Sequence, residues 1–290
     1  MGLKAKFNLV MLVAFLVGLG LAAAIAYRIV QDNARREVLQ DAAIMMEQAS
    51  AIRTYTSREI GPLLADASKI HFLPHTVPAW AAQTNFRKLQ QDFPDYSYRE
   101  PALNPTNPAD KARDWEADII NSFKRDPKMT ELVTERQTPT GPILSMSRPL
   151  RAGDKQCLTC HSTPSVAPAS MIELYGPDNG FGWQLGDVIA AQVVSVPMRV
   201  PLDQANRTFV LFLAGLATVF FVMTILLNLM LHYIIVRPVR RISAIAGEVS
   251  LGNMEAREFK VRGRDEIASL AESFNRMRRS LANALRMLEE

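Results

Sequence analysis

Residues 209–236 read FVLFLAGLATVFFVMTILLNLMLHYIIV, and Arg237-Pro238-Val239-Arg240-Arg241-Ile242 follow directly. With His232 neutral the run carries no charge. A bilayer core takes roughly 20 apolar residues at about 1.5 Å of rise each, so this run is long enough to cross, with length left for tilt. The arginines crowding its end place that end in the cytoplasm.

A second uncharged run, LVMLVAFLVGLGLAAAIAY, occupies residues 9–27. Lys4, Lys6 and the small residues Ala24-Ile25-Ala26 would also suit a cleaved signal peptide. The run exceeds the roughly 7–15 apolar residues of such a peptide, and no Gly or Pro follows it until Gly61-Pro62, so a retained anchor is expected. Lys4 and Lys6 before it are balanced by Arg28, Arg35 and Arg36 after it, so it sets no orientation alone. Two spans put both termini on one side. The expected layout is a cytoplasmic 1–8, a span at 9–27, an external domain at 28–208, a span at 209–236 and a cytoplasmic 237–290. That makes membrane lipid a partner. The net charge of +4 owes much to the flanking arginines and does not point to nucleic acid.

In the external part, Val38, Ala42, Met45, Ala49, Ile52 and Thr56 repeat at 4,3,4,3,4. This spacing predicts a rod packed on another helix, in the same subunit or a dimer mate, or equally the buried stripe of an amphipathic helix. Gly61-Pro62 is expected to end it. A turn-rich stretch with Pro74, Pro78, Pro94, Pro101, Pro105 and Pro108 follows. A helix over 109–124 would bury Trp115, Ile119, Ile120 and Phe123. Strands are expected at 143–149 and 188–196. The order suits an α+β domain with a small PAS-like sheet flanked by helices.

The chain has two cysteines, both within Cys157-Leu158-Thr159-Cys160-His161. This is C-x-x-C-H, the attachment motif of c-type haem. Two thiols three residues apart can each add to one haem vinyl group, and the adjoining His161 then reaches the iron as an axial ligand. A structural zinc site would need two more ligands, with His71 and His75 the candidates. A redox dithiol would expect a βαβ context that is missing. For the sixth iron position no cysteine remains. His75 is the first candidate, then His71, then Met45, Met46, Met146 and Met171, and an open position would admit a diatomic gas. His232 reads as an interfacial residue of the second span.

Arg53-Thr54-Tyr55-Thr56, Thr76-Val77-Pro78-Ala79, Tyr96-Ser97-Tyr98-Arg99-Glu100, Asn104-Pro105-Thr106-Asn107-Pro108 and Trp115-Glu116-Ala117-Asp118 occur in that order. Cys157 to His161, Tyr175-Gly176 and Gly180-Phe181-Gly182-Trp183 continue the series. Together they resemble the bacterial membrane-bound c-type haem sensor family. The resemblance implies a PAS-like periplasmic domain, covalent haem, and joining to kinase, chemotaxis or cyclase outputs.

After the second span, Val239, Ile242, Ala246 and Val249 repeat at 3,4,3, and Gly252-Asn253 breaks the pattern. Asp265-Glu266 then opens a second helix with Ile267, Leu270, Phe274, Met277, Leu281, Ala284 and Leu288 in heptads. Two heptad helices joined by a connector, behind a membrane helix and a proline, resemble a HAMP domain. An ordinary amphipathic hairpin is the plainer alternative. The resemblance implies a parallel four-helix bundle, hence a homodimer. No kinase, methyl-accepting or cyclase sequence follows, so the expectation is either a separate output partner or a shortened form. No phosphate loop, zinc-protease motif or G-x-S-x-G is present, and no enzymatic activity is expected. The reading is a haem-based sensor of redox state or gas in the bacterial inner membrane. A membrane-anchored electron-transfer cytochrome is the runner-up; a haem-free sensor of small organic ligands would leave the cysteines incidental.

Overall fold

The computed structural model describes residues 2–253, 256–260 and 263–289. The chain divides into two units: residues 28–208, and residues 1–27 together with 209–290.

Helix α1, Leu3–Tyr55, runs without a break through the first apolar run, residues 24–26 included. A wider π-helical turn, Thr56–Ile60, follows it, and then a single turn, Gly61–Leu63. The rod thus ends at Leu63, one residue past the Gly61-Pro62 stop that was expected. Helix resumes at Ala65–Ile70 after a bend at Leu64. A proline inside a helix lacks an N–H and crowds the carbonyl four residues back. Here the turn has already widened: the Gly61 N–H reaches Thr56 O, five residues back. Pro62 then opens a new turn, where no N–H is required. A second π turn, Leu231–Val236, likewise ends two residues before Pro238.

In the 28–208 unit a four-stranded antiparallel sheet has the order β1-β4-β3-β2. Its strands are β1 (Ser97–Arg99), β2 (Leu132–Thr138), β3 (Gly141–Arg151) and β4 (Val188–Pro197). Alternation sorts its side chains onto two faces. One face presents Tyr98, Leu144, Met146, Val194 and Val196 to α1 and to α2, Pro78–Asp92. The other presents Leu132, Ala191 and Val193 to α3, Asp114–Arg125, whose Ile119, Ile120 and Phe123 fill that layer. The α+β expectation holds, with a small sheet between helices.

The α1 stripe is Val38, Ala42, Met46 and Ala49, all fully buried, with Met45 beside it. It packs on the sheet rather than along a partner helix, so the amphipathic reading is the correct one. Two exposed ion pairs on the same face, Arg35–Glu135 at 2.8 Å and Glu47–Arg148 at 2.7 Å, add orientation more than stability. Met45, Met46 and Met146 are spent in this core.

Other expectations shift. The proline-rich stretch contains helix α2, with Pro78 in its first turn, where proline is welcome. The helix expected from residue 109 begins at Asp114, because a 3₁₀ turn, Pro108–Asp110, precedes it. Strands β1 and β2 went unforeseen; β1 is three residues long, and β2 alternates polar and apolar only weakly.

In the other unit, Phe15 meets Phe220 (centroids 4.2 Å apart) and Tyr27 meets Phe209 (5.5 Å), so the two apolar helices run antiparallel. Val10, Val17, Leu21, Leu211 and Phe221 remain largely exposed, as lipid-facing side chains would be. Beyond the second apolar helix come Arg237–Ser250 and Glu266–Glu289. They enclose a small core of Ile242, Val249, Ala256, Ala271 and Phe274. Asn275 clasps the connector with both ends of its amide: Phe259 N–H donates to its Oδ1 (3.1 Å) and its Nδ2 donates to Phe259 O (2.8 Å). Asp265 caps the second helix by accepting from Ala268 N–H at 2.8 Å. The Leu288 side chain lies outside the described residues.

Leu144 sits where α1 meets β3 with no exposed surface. Leu144→Ala is expected to cost about 2–5 kcal/mol in urea unfolding of the protein, while Ile44→Ala, on the open side of α1, changes it by about 0.5 kcal/mol or less.

Candidate haem-attachment site

The C-x-x-C-H sequence forms a short helix, α4, Lys155–His161. Asp154 starts it by accepting from Gln156 N–H at 3.1 Å. One helical turn therefore carries Cys157, Cys160 and His161, three and four residues apart, on neighbouring faces. Both thiols are free and half-buried.

The chain returns past this helix. Gly182 N–H donates to Ser162 O (3.0 Å) and Trp183 N–H to His161 O (3.2 Å). Farther on, Gly186 N–H donates to Ala152 O and Ala152 N–H to Asp187 O, which leads straight into β4. The His161 ring stacks on Trp183, with centroids 3.8 Å apart and planes within 13°. Its Nδ1 lies 2.8 Å from Gly180 O and 3.4 Å from Thr106 Oγ1. A carbonyl only accepts, so Nδ1 carries the proton and Nε2 keeps its lone pair. A metal-binding histidine is commonly held this way, with the second nitrogen fixing ring and tautomer.

Gly180 is required by geometry. Its φ of +84° suits glycine, and a Cβ there would stand 1.9 Å from Thr106 Oγ1. Burial holds the His161 imidazole below the usual histidine range, against the raising effect of the Gly180 hydrogen bond. Burial, then the neighbouring Cys157, pushes the Cys160 thiol up. Gly180, Trp183 and Thr106 belong to blocks that carried the family resemblance, yet sequence alone gave them no role.

The remaining candidates fall elsewhere. His75 sits in the 3₁₀ turn Pro74–Thr76, exposed, its ring edge-on to Trp80 at 4.5 Å. His71 is also exposed, and the neighbouring Phe72 N–H donates to Ser170 Oγ at 2.7 Å. That bond and the Phe72–Tyr175 ring contact tie the segment to helix α5, Ala169–Tyr175, which follows the attachment turn. Met171 is buried on α5. His232 lies in the π turn of the second apolar helix, against Tyr233. Among the described residues no three His, Cys, Asp or Glu side chains gather as a metal site would need.

A small sheet between helices, a C-x-x-C-H turn under a glycine loop and a helix–connector–helix segment after an apolar helix define a membrane-anchored sensor-type architecture. Residues 31–197 match the Tll0287-like family model, and the chain belongs to that family. Residues 230–283 match the HAMP domain. The sensor histidine kinase MtrB of Mycobacterium leprae (strain TN) is 30% identical over 164 residues, covering 53% of this chain and 27% of that protein. The chain thus spans about a quarter of the length of the curated relative it matches. The crystal structure of the cyanobacterial heme-protein Tll0287 aligns with a TM-score of 0.42 at 17% identity, over 56% of this chain and 95% of that one.

In protein lacking any group on Cys157 and Cys160, the lowered proton affinity of His161 makes the unfolded state the better proton binder. Stability is then full above the unfolded pKa of 6.5 and falls as pH drops below it. Thermal melts between pH 7.5 and 5 are expected to show this slope, and His161→Gln to reduce it.

Proposed function

We propose that the chain is a transmembrane sensor that holds haem c on Cys157 and Cys160, with His161 as the proximal iron ligand. One observation carries this reading. Two free thiols share a helical turn with an imidazole whose Nδ1 is already bonded to Gly180 O, which leaves Nε2 for a metal. Bound there, haem would supply an iron that changes charge on reduction and has a sixth position for a protein ligand or a diatomic gas. The residues fit such a group in a second respect. Val166, Leu174 and Leu185, on the segments that follow the turn in sequence, are about half exposed, and a porphyrin needs apolar cover. His75, then His71, are the proposed candidates for the sixth position.

The 28–208 domain is proposed to be periplasmic and the HAMP segment cytoplasmic, a reading supported by Arg237, Arg240 and Arg241 beside the second apolar run. His161 holds one setting in each state of the site. The 28–208 domain passes the difference to α1 and to the second apolar helix, and these to the HAMP helices. Two states differing by a coupling of about 1–3 kcal/mol suffice for a several-fold response. Leu270, Met277 and Leu281 are 48%, 60% and 44% exposed at heptad positions, which supports a second copy as their cover. The HAMP match favours sensing over bare electron transfer. The relative described as a sensor histidine kinase supports a kinase as the cytoplasmic output, with chemotaxis or cyclase proteins as the other candidates.

Two tests follow from this reading. Protein made in cells able to mature cytochrome c is expected to keep the mass of one porphyrin after denaturation. Cys157→Ser/Cys160→Ser should lose it, and a wild-type chain of bare mass refutes the reading. Met277→Cys in membranes is expected to give an oxidised, crosslinked dimer, whereas Arg279→Cys should give far less; equal yields contradict the seam.

A further inference from the structure

A half-buried ion pair is among the contacts that tie helix α1 to the rest of its domain. Arg53 Nη1 pairs with Oε2 of Glu100, whose side chain is 2% exposed. The other Glu100 oxygen accepts from the Tyr98 hydroxyl at 2.6 Å, and Gln192 Nε2 donates to that hydroxyl at 2.8 Å. Burial, then the Glu100 charge, pushes the Tyr98 phenol far up, so it stays a donor.

From Glu100 the contacts continue toward His161. The Glu100 N–H points to Gln83 Oε1 at 3.4 Å, and Gln83 Nε2 donates to Asp110 Oδ1 at 3.0 Å. Asp110 belongs to a loop, residues 102–112, that is closed on itself. Ala102 N–H donates to Asp110 O (2.9 Å), Asp110 N–H to Asn107 O (2.9 Å) and Ala112 N–H to Ala102 O (3.0 Å). At the far end of this loop Thr106 lies 3.4 Å from His161 Nδ1 and occupies the space that a side chain on Gly180 would need. One hydrogen-bonded loop thus touches the imidazole at one end and reaches Arg53 through Gln83 and Glu100 at the other.

We propose that Thr106 is a positioning residue for His161, and that the loop 102–112 ties the setting of the imidazole to the hold of Glu100 on Arg53. The proposal rests on the haem reading above and adds the route by which that site acts on α1. A loop closed by its own bonds moves as a body, so a displacement at Gly180 and Thr106 is taken up at Asp110, Gln83 and Glu100. Coupling of this kind is reciprocal: loosening Arg53 must alter the iron's preference between its two states.

The test is a double-mutant cycle on the full-length haem-loaded protein, read as midpoint potential. Its members are wild type, Thr106→Val, Arg53→Gln/Glu100→Gln and their combination. The paired glutamines avoid leaving a charge buried alone. Each change alone is expected to shift the potential, and the combination to shift it no further than the larger of the two. Additive shifts, or no shift from the glutamine pair, overturn the proposal. Thr106→Ser is expected to restore the wild-type value, and Ser behaving as Val overturns the role of the hydroxyl. Glu47→Gln, a charge change at an exposed pair on the same helix, should leave the potential unmoved; an equal shift there overturns the route. If the glutamine pair does not fold, Arg53→Lys takes its place in the cycle under the same criteria. Hydrogen exchange gives an independent readout. Amides 53–61 should differ between oxidised and reduced wild type and lose that difference in Thr106→Val; a difference that persists contradicts the link. Protein without covalent haem overturns both readings, whereas haem-loaded protein with additive shifts removes the coupling alone.

Discussion

The hydrogen bond from His161 Nδ1–H to the Gly180 carbonyl constrains more of this molecule than its 2.8 Å suggests. It needs a carbonyl turned toward the imidazole, which the left-handed backbone of Gly180 provides, and it needs the space beside that glycine taken by Thr106 rather than by a side chain of its own. It also needs the 180–183 segment laid along α4, which the bonds from Gly182 and Trp183 secure. The same segment feeds β4, the strand between β1 and β3. The setting of one ring is therefore built into the sheet.

That sheet has helices on both faces for an ordinary reason. A strand alternates its side chains, and both sets here are apolar enough to need cover, α1 and α2 on one side and α3 on the other. Polar groups are buried in these layers too, and Ser145 and Ser195 pair at 3.0 Å between the two central strands. Glu116 is wholly buried; it accepts from Arg113 N–H at 2.8 Å and stands 3.1 Å from Arg99 Nε, an ion pair whose N–H is not aimed at the oxygen. Buried pairs such as this and Arg53–Glu100 add little net stability, since removing both charges from water cancels most of their attraction. They fix how neighbouring elements sit. Under the proposed sensing role, an arrangement that holds α1 in one of two positions would need that specificity more than free energy.

The sequence was most readable where one residue type has one use. Uncharged apolar runs, C-x-x-C-H and the proline-connector-heptad series each follow from local chemistry, and the HAMP segment and apolar helices stand as expected. Reading failed where a later contact overruled a local signal. The heptad-like α1 stripe could not name its partner, because a sheet and a helix bury the same residues. Pro78 sits among prolines that signal turns, yet proline also starts helices, as it does here. At the site, spacing alone puts Cys157, Cys160 and His161 on one helical turn, whereas the partner of Nδ1 comes from a glycine 19 residues away. Only the folded chain brings that glycine within reach.

The proposed site has a porphyrin bonded to both Cys157 and Cys160 with the His161 imidazole on its iron. The absorption spectrum of the full-length protein, denatured and reduced in alkaline pyridine, tests it most directly, because band position reports how many vinyl groups remain. The expected result is the spectrum of a haem with no free vinyl, from material that stays with the polypeptide on acid extraction. A haem with one or both vinyls intact, or pigment that leaves the chain during extraction, would contradict it.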